Sequence, residues 1–244
     1  MNTSPTSPHN PPQHQPRPLL DLLISILIPS FILMKMSGAD QLGASGALIA
    51  ALAFPLGWGA LELIKYRKFN FIALLGLISV ALTGGIGLLQ LDTQWLAIKE
   101  AAIPGIIGVA VLISTRTRYP LIKTLLYNPK FINVDEIQLI LEQRNMRAAF
   151  ENRLMNATFL LSSTFLFSSV MNYVLAKWIV TSPGGSEAFN EELGRMTLLS
   201  YPVIAIPSML MMMAIMYYLW RTIHGMTGLP LEKVFISQQP ENKN

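Results

Sequence analysis

The sequence predicts an all-α, polytopic membrane protein with about six transmembrane helices and both termini in the cytoplasm. Of its 244 residues, 52% are hydrophobic and only 13% are charged, whereas about a quarter of the residues in a soluble domain are charged. Six runs approach the roughly 20 mostly apolar residues that a membrane-spanning helix needs. Lys and Arg are concentrated between alternate pairs of these runs, as expected for a multi-pass protein.

The six predicted spans divide the chain into a first tail, a membrane domain over residues 19–220 and a second, cytoplasmic tail over 221–244. Residues 1–18 are rich in proline and polar side chains, so we expect them to be disordered. The first span is longer than the apolar part of a typical signal peptide and only Arg17 precedes it, which favours a retained helix over a cleaved leader. The spans are Leu19–Met36, Ala44–Ile64, Phe71–Leu91, Trp95–Ser114, Met155–Ile179 and Leu198–Trp220.

The distribution of the 18 Lys and Arg residues predicts the orientation of the chain. One set of connecting segments holds Arg17, Lys65, Arg67, Lys68, Arg116, Arg118, Lys123, Lys130, Arg144, Arg147, Arg153, Arg221, Lys233 and Lys243. The other set holds only Lys35, Lys99, Lys177 and Arg195. Because basic residues remain on the cytoplasmic side of a membrane, the first set is predicted to be cytoplasmic.

The segment near residues 120–153, between the fourth and fifth spans, is predicted to be cytoplasmic and to contain an amphipathic helix. Asn133 and Glu136 have the three-residue spacing of a capping box, which marks the start of a helix. This helix could lie at the membrane surface or pack on the protein's own helices, and the sequence leaves both alternatives open. Its apolar face consists of Val134, Ile137, Ile140 and Leu141.

Lys99 and Glu100 are two adjacent charged residues inside the fourth predicted span. Residues 101–114 alone would give roughly 21 Å of helix, less than the roughly 30 Å of the hydrocarbon core, so the span is expected to include both residues. Adjacent helical residues point about 100° apart, so we expect no pairing between them. Glu100 shares a face with Pro104 and Gly108 and is expected to face the bundle, with Lys99 directed outward.

Glu100 is a functional candidate because carboxylates inside membranes are rare and expensive. A structural role at the positive end of a helix dipole is the alternative. Glu62 raises the same question near the other end of a span, where a local contact with Lys65 or Tyr66 is the simpler interpretation.

Asn172 lies in the fifth span on a face that also carries three hydroxyl residues. Polar side chains in this pattern can form hydrogen bonds between helices, each worth about 0.6 kcal/mol. The alternative is that they line a path for a substrate. The hydroxyl residues of this face are Thr158, Ser162 and Ser169.

Composition and motifs exclude several other classes of protein. The chain has no cysteine, which excludes disulfides and cysteine-ligated metals. The basic residues flank apolar runs rather than alternating with aromatic residues, so we expect no nucleic-acid partner. No phosphate-binding loop, metal-spaced cluster or nucleophile–base motif occurs, so no enzymatic activity and no cofactor are expected. The expected partners are the lipid bilayer and other membrane proteins, and small-residue helix faces allow oligomerisation.

The order of these features resembles the bacterial intracellular septation protein A family, and especially its uncharacterised inner-membrane relatives. The likeness covers residues 19–220. It implies a small protein of the bacterial inner membrane that is linked to cell division and envelope maintenance. The motifs that carry it are Leu20-Asp21-Leu22, Tyr66-Arg67-Lys68-Phe69, Ile98-Lys99-Glu100, Pro120-Leu121-Ile122-Lys123 and Asn172-Tyr173-Val174-Leu175-Ala176-Lys177-Trp178.

Two functional hypotheses follow. The first is a non-enzymatic scaffold that contacts other proteins of the cell envelope through its helices. The second is a small transporter or channel built as an inverted three-helix repeat, with Glu100 and Asn172 lining its path. The second rests on an Ile-Pro dipeptide that recurs in three spans, at Ile28-Pro29, Ile103-Pro104 and Ile206-Pro207.

Overall fold

The computed structural model describes residues 23–66, 71–117, 121–122, 127 and 132–234, without the side chains of residues 24–25, 58–66, 71–73 and 231. The predicted disordered tail, the start of the first span and the end of the second tail lie outside these residues. Every regular element of two or more turns in the described part of the chain is helical. The predicted all-α class is therefore confirmed.

Nine α-helices and two π-helical turns make up the described structure. The helices are α1 (Ile28–Lys35), α2 (Gly43–Tyr66), α3 (Phe71–Leu88), α4 (Gln94–Ser114), α5 (Val134–Gln143), α6 (Arg147–Ile179), α7 (Glu187–Ser200), α8 (Ile206–Thr227) and α9 (Leu231–Val234). The π-helical turns, Leu23–Leu27 and Tyr201–Ala205, precede α1 and α8.

Three continuous helical stretches are long and apolar enough to cross a membrane. They are Gln94–Ser114, Arg147–Ile179 and Glu187–Thr227. The last contains α7, the second π-turn and α8. In the described parts of α2 and α3, the apolar stretches are shorter and cover Gly43–Gly57 and Leu74–Leu88. The count of six spans and the orientation of the termini remain predictions.

The three Ile-Pro dipeptides have two different structural settings. Pro29 and Pro207 lie at the starts of α1 and α8, each directly after a π-turn. A proline has no backbone N–H and its ring clashes with the carbonyl four residues earlier, and both of these prolines lie where the regular α-helical hydrogen-bond pattern is interrupted. Pro104 instead lies inside the continuous helix α4.

Two clusters of buried residues hold the helices together at opposite ends of α6. The Phe189 cluster joins α1, α2, α3, α4, α7 and the C-terminal end of α6; its members include Leu33, Leu48, Ile86, Leu96, Ala176 and Phe189. The Ile137 cluster joins α5, α8, α9, the end of α4 and the N-terminal half of α6; its members include Val111, Ile137, Leu141, Leu161, Ile223 and Val234.

The amphipathic segment forms α5 and packs on the protein's own helices. Ile137 and Leu141 are fully buried in the Ile137 cluster, and Ile140 packs against it. The second of the two alternatives for this helix is therefore the one observed. Asn133 precedes the first residue of the helix as predicted, but its side chain donates to the Glu136 carboxylate at 2.6 Å instead of capping the backbone.

Candidate functional site: the polar contacts of helix α4

Lys99 crosses from α4 to α3 and is almost completely buried, with 9% of its surface exposed. Its ammonium Nζ donates to the Thr83 hydroxyl at 2.7 Å and to the Ser79 hydroxyl at 3.2 Å. It also lies 3.4 Å from the Ser79 carbonyl oxygen. Ser79 and Thr83 are four residues apart on α3 and therefore present their oxygens on one helical face. The predicted outward direction of Lys99 is wrong.

Lys99 and Glu100 form an ion pair, with 2.7 Å between Nζ and the nearer carboxylate oxygen. The expectation that these neighbours do not pair is therefore also wrong. The angle between adjacent positions separates their Cβ atoms, but the four-carbon stem of lysine is long enough to bring its ammonium back to the carboxylate. Glu100 is the more exposed of the two, with 26% of its side chain accessible against 8% for Lys99.

The burial of the pair is thus the reverse of the predicted one, and the cause is the composition of α3. This helix offers two hydroxyl oxygens and a carbonyl oxygen, all of which accept hydrogen bonds. An ammonium is satisfied by such acceptors, whereas a carboxylate needs donors. Four acceptors surround the three N–H donors of the Lys99 ammonium, so each of its donors has a partner.

The opposite side of α4 contacts α6 through small residues and backbone carbonyls. Ser162 donates to the Gly108 carbonyl and Ser169 to the Ala101 carbonyl, each at 2.8 Å. The two bonds are seven residues apart on both helices, which is the repeat that keeps an antiparallel pair in contact. The predicted hydrogen bonding between helices is confirmed for these two serines.

Gly105 and Gly108 allow this close approach. A Cβ atom at Gly105 would lie 2.9 Å from the Ser169 hydroxyl, and one at Gly108 would lie 3.1 Å from Cβ of Phe165. Both distances are shorter than ordinary van der Waals contacts. The predicted role of small residues on α4, to let a neighbouring helix come close, is confirmed here.

The remaining polar candidates have local contacts or lie outside the described side chains. Asn172 is half-buried and its amide donates to the Ser168 carbonyl of its own helix at 2.8 Å. Thr158 likewise donates to the Leu154 carbonyl. Neither makes the predicted contact to another helix. The side chain of Glu62 lies outside the described part of the structure, so its interpretation stays a prediction.

Asn190 is a fully buried polar residue that the sequence interpretation missed. Its amide donates to the Ala44 carbonyl at 2.7 Å and to the Ser37 hydroxyl at 3.0 Å. These bonds tie α7 to the first turn of α2 and to Ser37 in the turn after α1. Phe189 and Leu193 are also buried, and their four-residue spacing on one helical face was the available sign that α7 packs into the bundle.

Glu192 closes the loop between α6 and α7. Its carboxylate accepts bonds from the backbone N–H and hydroxyl groups of Thr181 and Ser182, at 2.8 to 3.2 Å. Burial alone would raise the pKa of Glu192, but these four hydrogen bonds lower it below the ordinary value. Glu192 precedes the apolar part of the Glu187–Thr227 stretch, so this site lies outside the predicted span.

Comparison with known proteins adds no relative to these observations. No protein-family model matches the chain, and neither the curated proteins nor the solved structures contain a significant match. The resemblance to the septation protein A family therefore stays a prediction.

Proposed function

We propose that this protein is a multi-pass integral protein of the bacterial inner membrane that acts as a non-enzymatic scaffold in the cell envelope. In this proposal the chain crosses the membrane six times with both termini in the cytoplasm. The Ile137 cluster then lies toward the cytoplasm and the Phe189 cluster toward the opposite surface. The link to septation and envelope maintenance rests on the motifs that resemble the septation protein A family.

Support for a membrane location comes from apolar surface that the chain does not cover. In the most apolar part of the Glu187–Thr227 stretch, only 11% of the residues are buried. Ile106 on α4 and Met209 on α8 expose 68% and 65% of their surfaces. Soluble proteins rarely expose apolar patches of more than a few hundred Å², so lipid or partner helices must cover these faces.

The observation that favours a scaffold over a transporter is the internal pairing of the polar groups of α4 and α6. The Lys99 ammonium donates hydrogen bonds to α3 and forms an ion pair with Glu100. The hydroxyls of Ser162 and Ser169 donate to backbone carbonyls of α4. A transported solute needs polar groups that are free to bind it. In this bundle the corresponding groups hold helices together.

A surface for a partner helix lies on α4 beside its contact with α6. It is a shallow apolar groove of about 670 Å³. Small residues let the backbone of another helix approach closely, and apolar side chains on both sides would pack against that helix. The occupant in this proposal is a transmembrane helix of another envelope protein. Residues of the floor and walls include Ala102, Gly105, Ile106, Val109 and Ile113.

Site-specific photocrosslinking in living cells tests this proposal. A photoreactive residue at Ile106, inside the groove, is expected to give a discrete adduct with another membrane protein. The matched control at Met209 is equally exposed but lies on α8, away from the groove, and is expected to give only diffuse lipid adducts. Cells without the protein are expected to show altered length or envelope-stress sensitivity.

Two results would contradict the scaffold proposal. One is the same adduct pattern at Ile106 and Met209. The other is ion or solute flux through liposomes containing the purified protein that disappears in the double variant Lys99→Met/Glu100→Gln. The second result would make transport the leading function.

A further inference from the structure

The Phe189 and Ile137 clusters are separated by a waist, across which three helical segments continue from one cluster to the other. In the described structure, neither cluster contains a residue of these three segments. Apolar side chains of the waist are instead strongly exposed, and Ile106, Val170 and Met209 expose 68%, 60% and 65% of their surfaces. The segments are residues 98–106 of α4, 166–170 of α6 and 205–211 at the junction of the second π-turn with α8.

Hydrogen bonds between helices place the three segments at one depth of the bundle. Ser169 of α6 donates to the Ala101 carbonyl of α4 at 2.8 Å, and the hydroxyls of Ser168 and Ser208 share a hydrogen bond of 2.9 Å between α6 and α8. Because Ser168 and Ser169 are adjacent, Ala101 and Ser208 lie at the same level of α6. The proline of α4 follows Ala101 by three residues, about 4.5 Å of helix, and the proline of α8 directly precedes Ser208. Both prolines therefore lie within one helical turn of the same depth.

The two helices that flank α6 lack backbone hydrogen bonds at this depth. Pro104 and Pro207 have no N–H group to donate to the carbonyls of Glu100 and Val203, which lie four residues earlier. The π-turn before α8 also ends in a bond between residues five apart, where a regular α-helix has four. Sharp bends in helices occur almost always at prolines, at π-turns or at pairs of small residues. The waist is therefore the depth at which α4 and the α7–α8 stretch bend most easily.

Helix α6 has no proline or glycine in its waist segment, but side chains compete for its backbone there. Asn172 donates to the Ser168 carbonyl at 2.8 Å, and Thr164 donates to the Leu160 carbonyl at 3.1 Å. Side chains that bond to the carbonyl four residues earlier slightly destabilise a helix and often bend it. Helix α6 is thus a continuous spine that can bend gently where its two neighbours kink.

We propose that the waist is a hinge between two rigid bodies. The Phe189 body consists of α1, α2, α3, α7 and the adjoining ends of α4 and α6, and the Ile137 body consists of α5, α8, α9 and the other ends of α4 and α6. Each body has its own buried apolar core. The Phe189 body tilts relative to the Ile137 body by bending at Pro104, at the second π-turn and at Pro207. Lys99 precedes Pro104, so its bonds to α3 stay within the Phe189 body.

A hinge at this depth couples two surfaces of the protein. In the membrane orientation proposed above, α5 and α9 form the cytoplasmic surface, and α1 and α7 belong to the opposite surface. A partner that binds one tilt of the bundle better than the other therefore changes both surfaces at once. The hinge itself depends neither on the scaffold role nor on the occupant of the α4 groove.

Distances between pairs of spin labels test the hinge in the purified full-length protein in lipid nanodiscs. The chain has no cysteine, so two introduced cysteines carry the two labels, and double electron–electron resonance measures the distance between them. The pair Ile49→Cys/Leu139→Cys spans the waist from α2 to α5. The pair Ile49→Cys/Trp178→Cys lies within the Phe189 body, and the pair Leu139→Cys/Tyr217→Cys lies within the Ile137 body. All four positions are exposed.

The pair that spans the waist is expected to give the broadest distribution of distances. A tilt of about 20°, the size of a distinct kink in a helix, moves a label by roughly 7 Å when it acts over about 20 Å of helix. The distribution across the waist should therefore be wider than both distributions within one body by about this distance.

Replacement of the prolines tests where the hinge lies. The double variant Pro104→Ala/Pro207→Ala restores the two missing N–H donors and is expected to narrow the distribution across the waist to the width found within one body. Pro55→Ala is the matched control and should leave the distribution unchanged. Pro55 also lies inside a helix, but its helix α2 contributes no described residue to the Ile137 cluster. If the double variant does not fold, Pro207→Ala alone replaces it and should remove part of the excess width.

Three results would overturn the hinge. A distribution across the waist as narrow as those within one body would mean that the bundle is rigid. A pair within one body that is as broad as the pair across the waist would mean that the clusters do not move as units. A broad distribution that persists in the folded proline variant, or that narrows equally in Pro55→Ala, would place the motion elsewhere. Photocrosslinking at Ile106 is a separate readout, so failure of the hinge leaves the scaffold proposal standing.

Discussion

Helix α4 contacts its two neighbours by opposite means. Toward α6 the helices come close, because Gly105 and Gly108 have no side chains and serines of α6 reach backbone carbonyls directly. Toward α3 the long side chain of Lys99 joins the helices through two hydroxyls. The α4–α6 contact depends on two glycines that have no side chain, and the α3–α4 contact depends on the single charged group of Lys99. They should therefore respond differently to substitution.

The largest effect is expected from adding a side chain to the close contact. Gly108→Leu places atoms where Phe165 and Leu166 already lie, and overpacking of this kind costs about 2 to 3 kcal/mol. Gly76→Leu is the control, because a Cβ atom at Gly76 meets nothing within 4 Å. Equilibrium unfolding in mixed micelles with increasing dodecyl sulfate measures both. Equal stability of the two variants would show that the α4–α6 contact is looser than described.

A smaller loss is expected from removing the charge of Lys99. Lys99→Met keeps the length of the side chain but leaves the Glu100 carboxylate without its ion-pair partner, which costs about 1 to 2 kcal/mol. The double variant Lys99→Met/Glu100→Gln should recover part of this loss, because it removes the unpaired charge. Lys177→Met, at an exposed lysine, should change the free energy of unfolding little. A double variant that is less stable than Lys99→Met would contradict the pairing.

Single hydroxyl deletions at the close contact should have a modest effect. Ser169→Ala removes the bond to the Ala101 carbonyl and is expected to cost about 0.6 kcal/mol. Ser163→Ala is the control, since that hydroxyl is exposed and bonds only to the Leu160 carbonyl of its own helix. The same unfolding titration compares the two. No difference between them would mean that glycine packing alone holds α4 against α6.

The smallest effect is expected at Glu192, whose hydrogen bonds form near water. Its pKa in the folded protein is lowered below 4.5, the ordinary value of a glutamate carboxyl group. Its contribution to stability is therefore present above that value and is lost as the pH falls through the lower, folded pKa. Glu192→Gln should weaken this pH dependence of the unfolding temperature below pH 4.5, whereas Glu191→Gln, at an exposed carboxylate, should preserve it. Parallel pH profiles for wild type and Glu192→Gln would contradict the four hydrogen bonds.

The sequence predicted the helices of the bundle better than the contacts between them. The fourth predicted span is Trp95–Ser114, and the observed helix covers Gln94–Ser114. The agreement is close because a continuous apolar run is a local property of the sequence. The direction of Lys99 depends on which residues of α3 lie beside it, and one chain segment carries no information about that neighbour. The use of Gly105 and Gly108 was predictable because small residues have a specific packing role.

Helix α7 is a second case in which contacts with other helices could not be predicted from the local sequence. Its sequence is largely polar, but the structure has a helix of 14 residues that continues through a π-turn into α8. Ser186 caps its first turn by accepting from the Phe189 N–H at 3.0 Å. Burial of Phe189 and Asn190 among the other helices of the bundle then stabilises α7. A local propensity cannot report such tertiary contacts.

A double-mutant cycle between Lys99 and Thr83 tests the central claim most directly, namely that the charged residue of α4 joins two helices. Lys99→Met and Thr83→Val each remove one side of the 2.7 Å bond while retaining volume, and unfolding is measured for both single variants and the double variant. The predicted coupling free energy is about 1 kcal/mol, as for other directly contacting pairs. Additive losses, with a coupling of zero, would contradict the structural role and would return Lys99 and Glu100 to the candidates for transport.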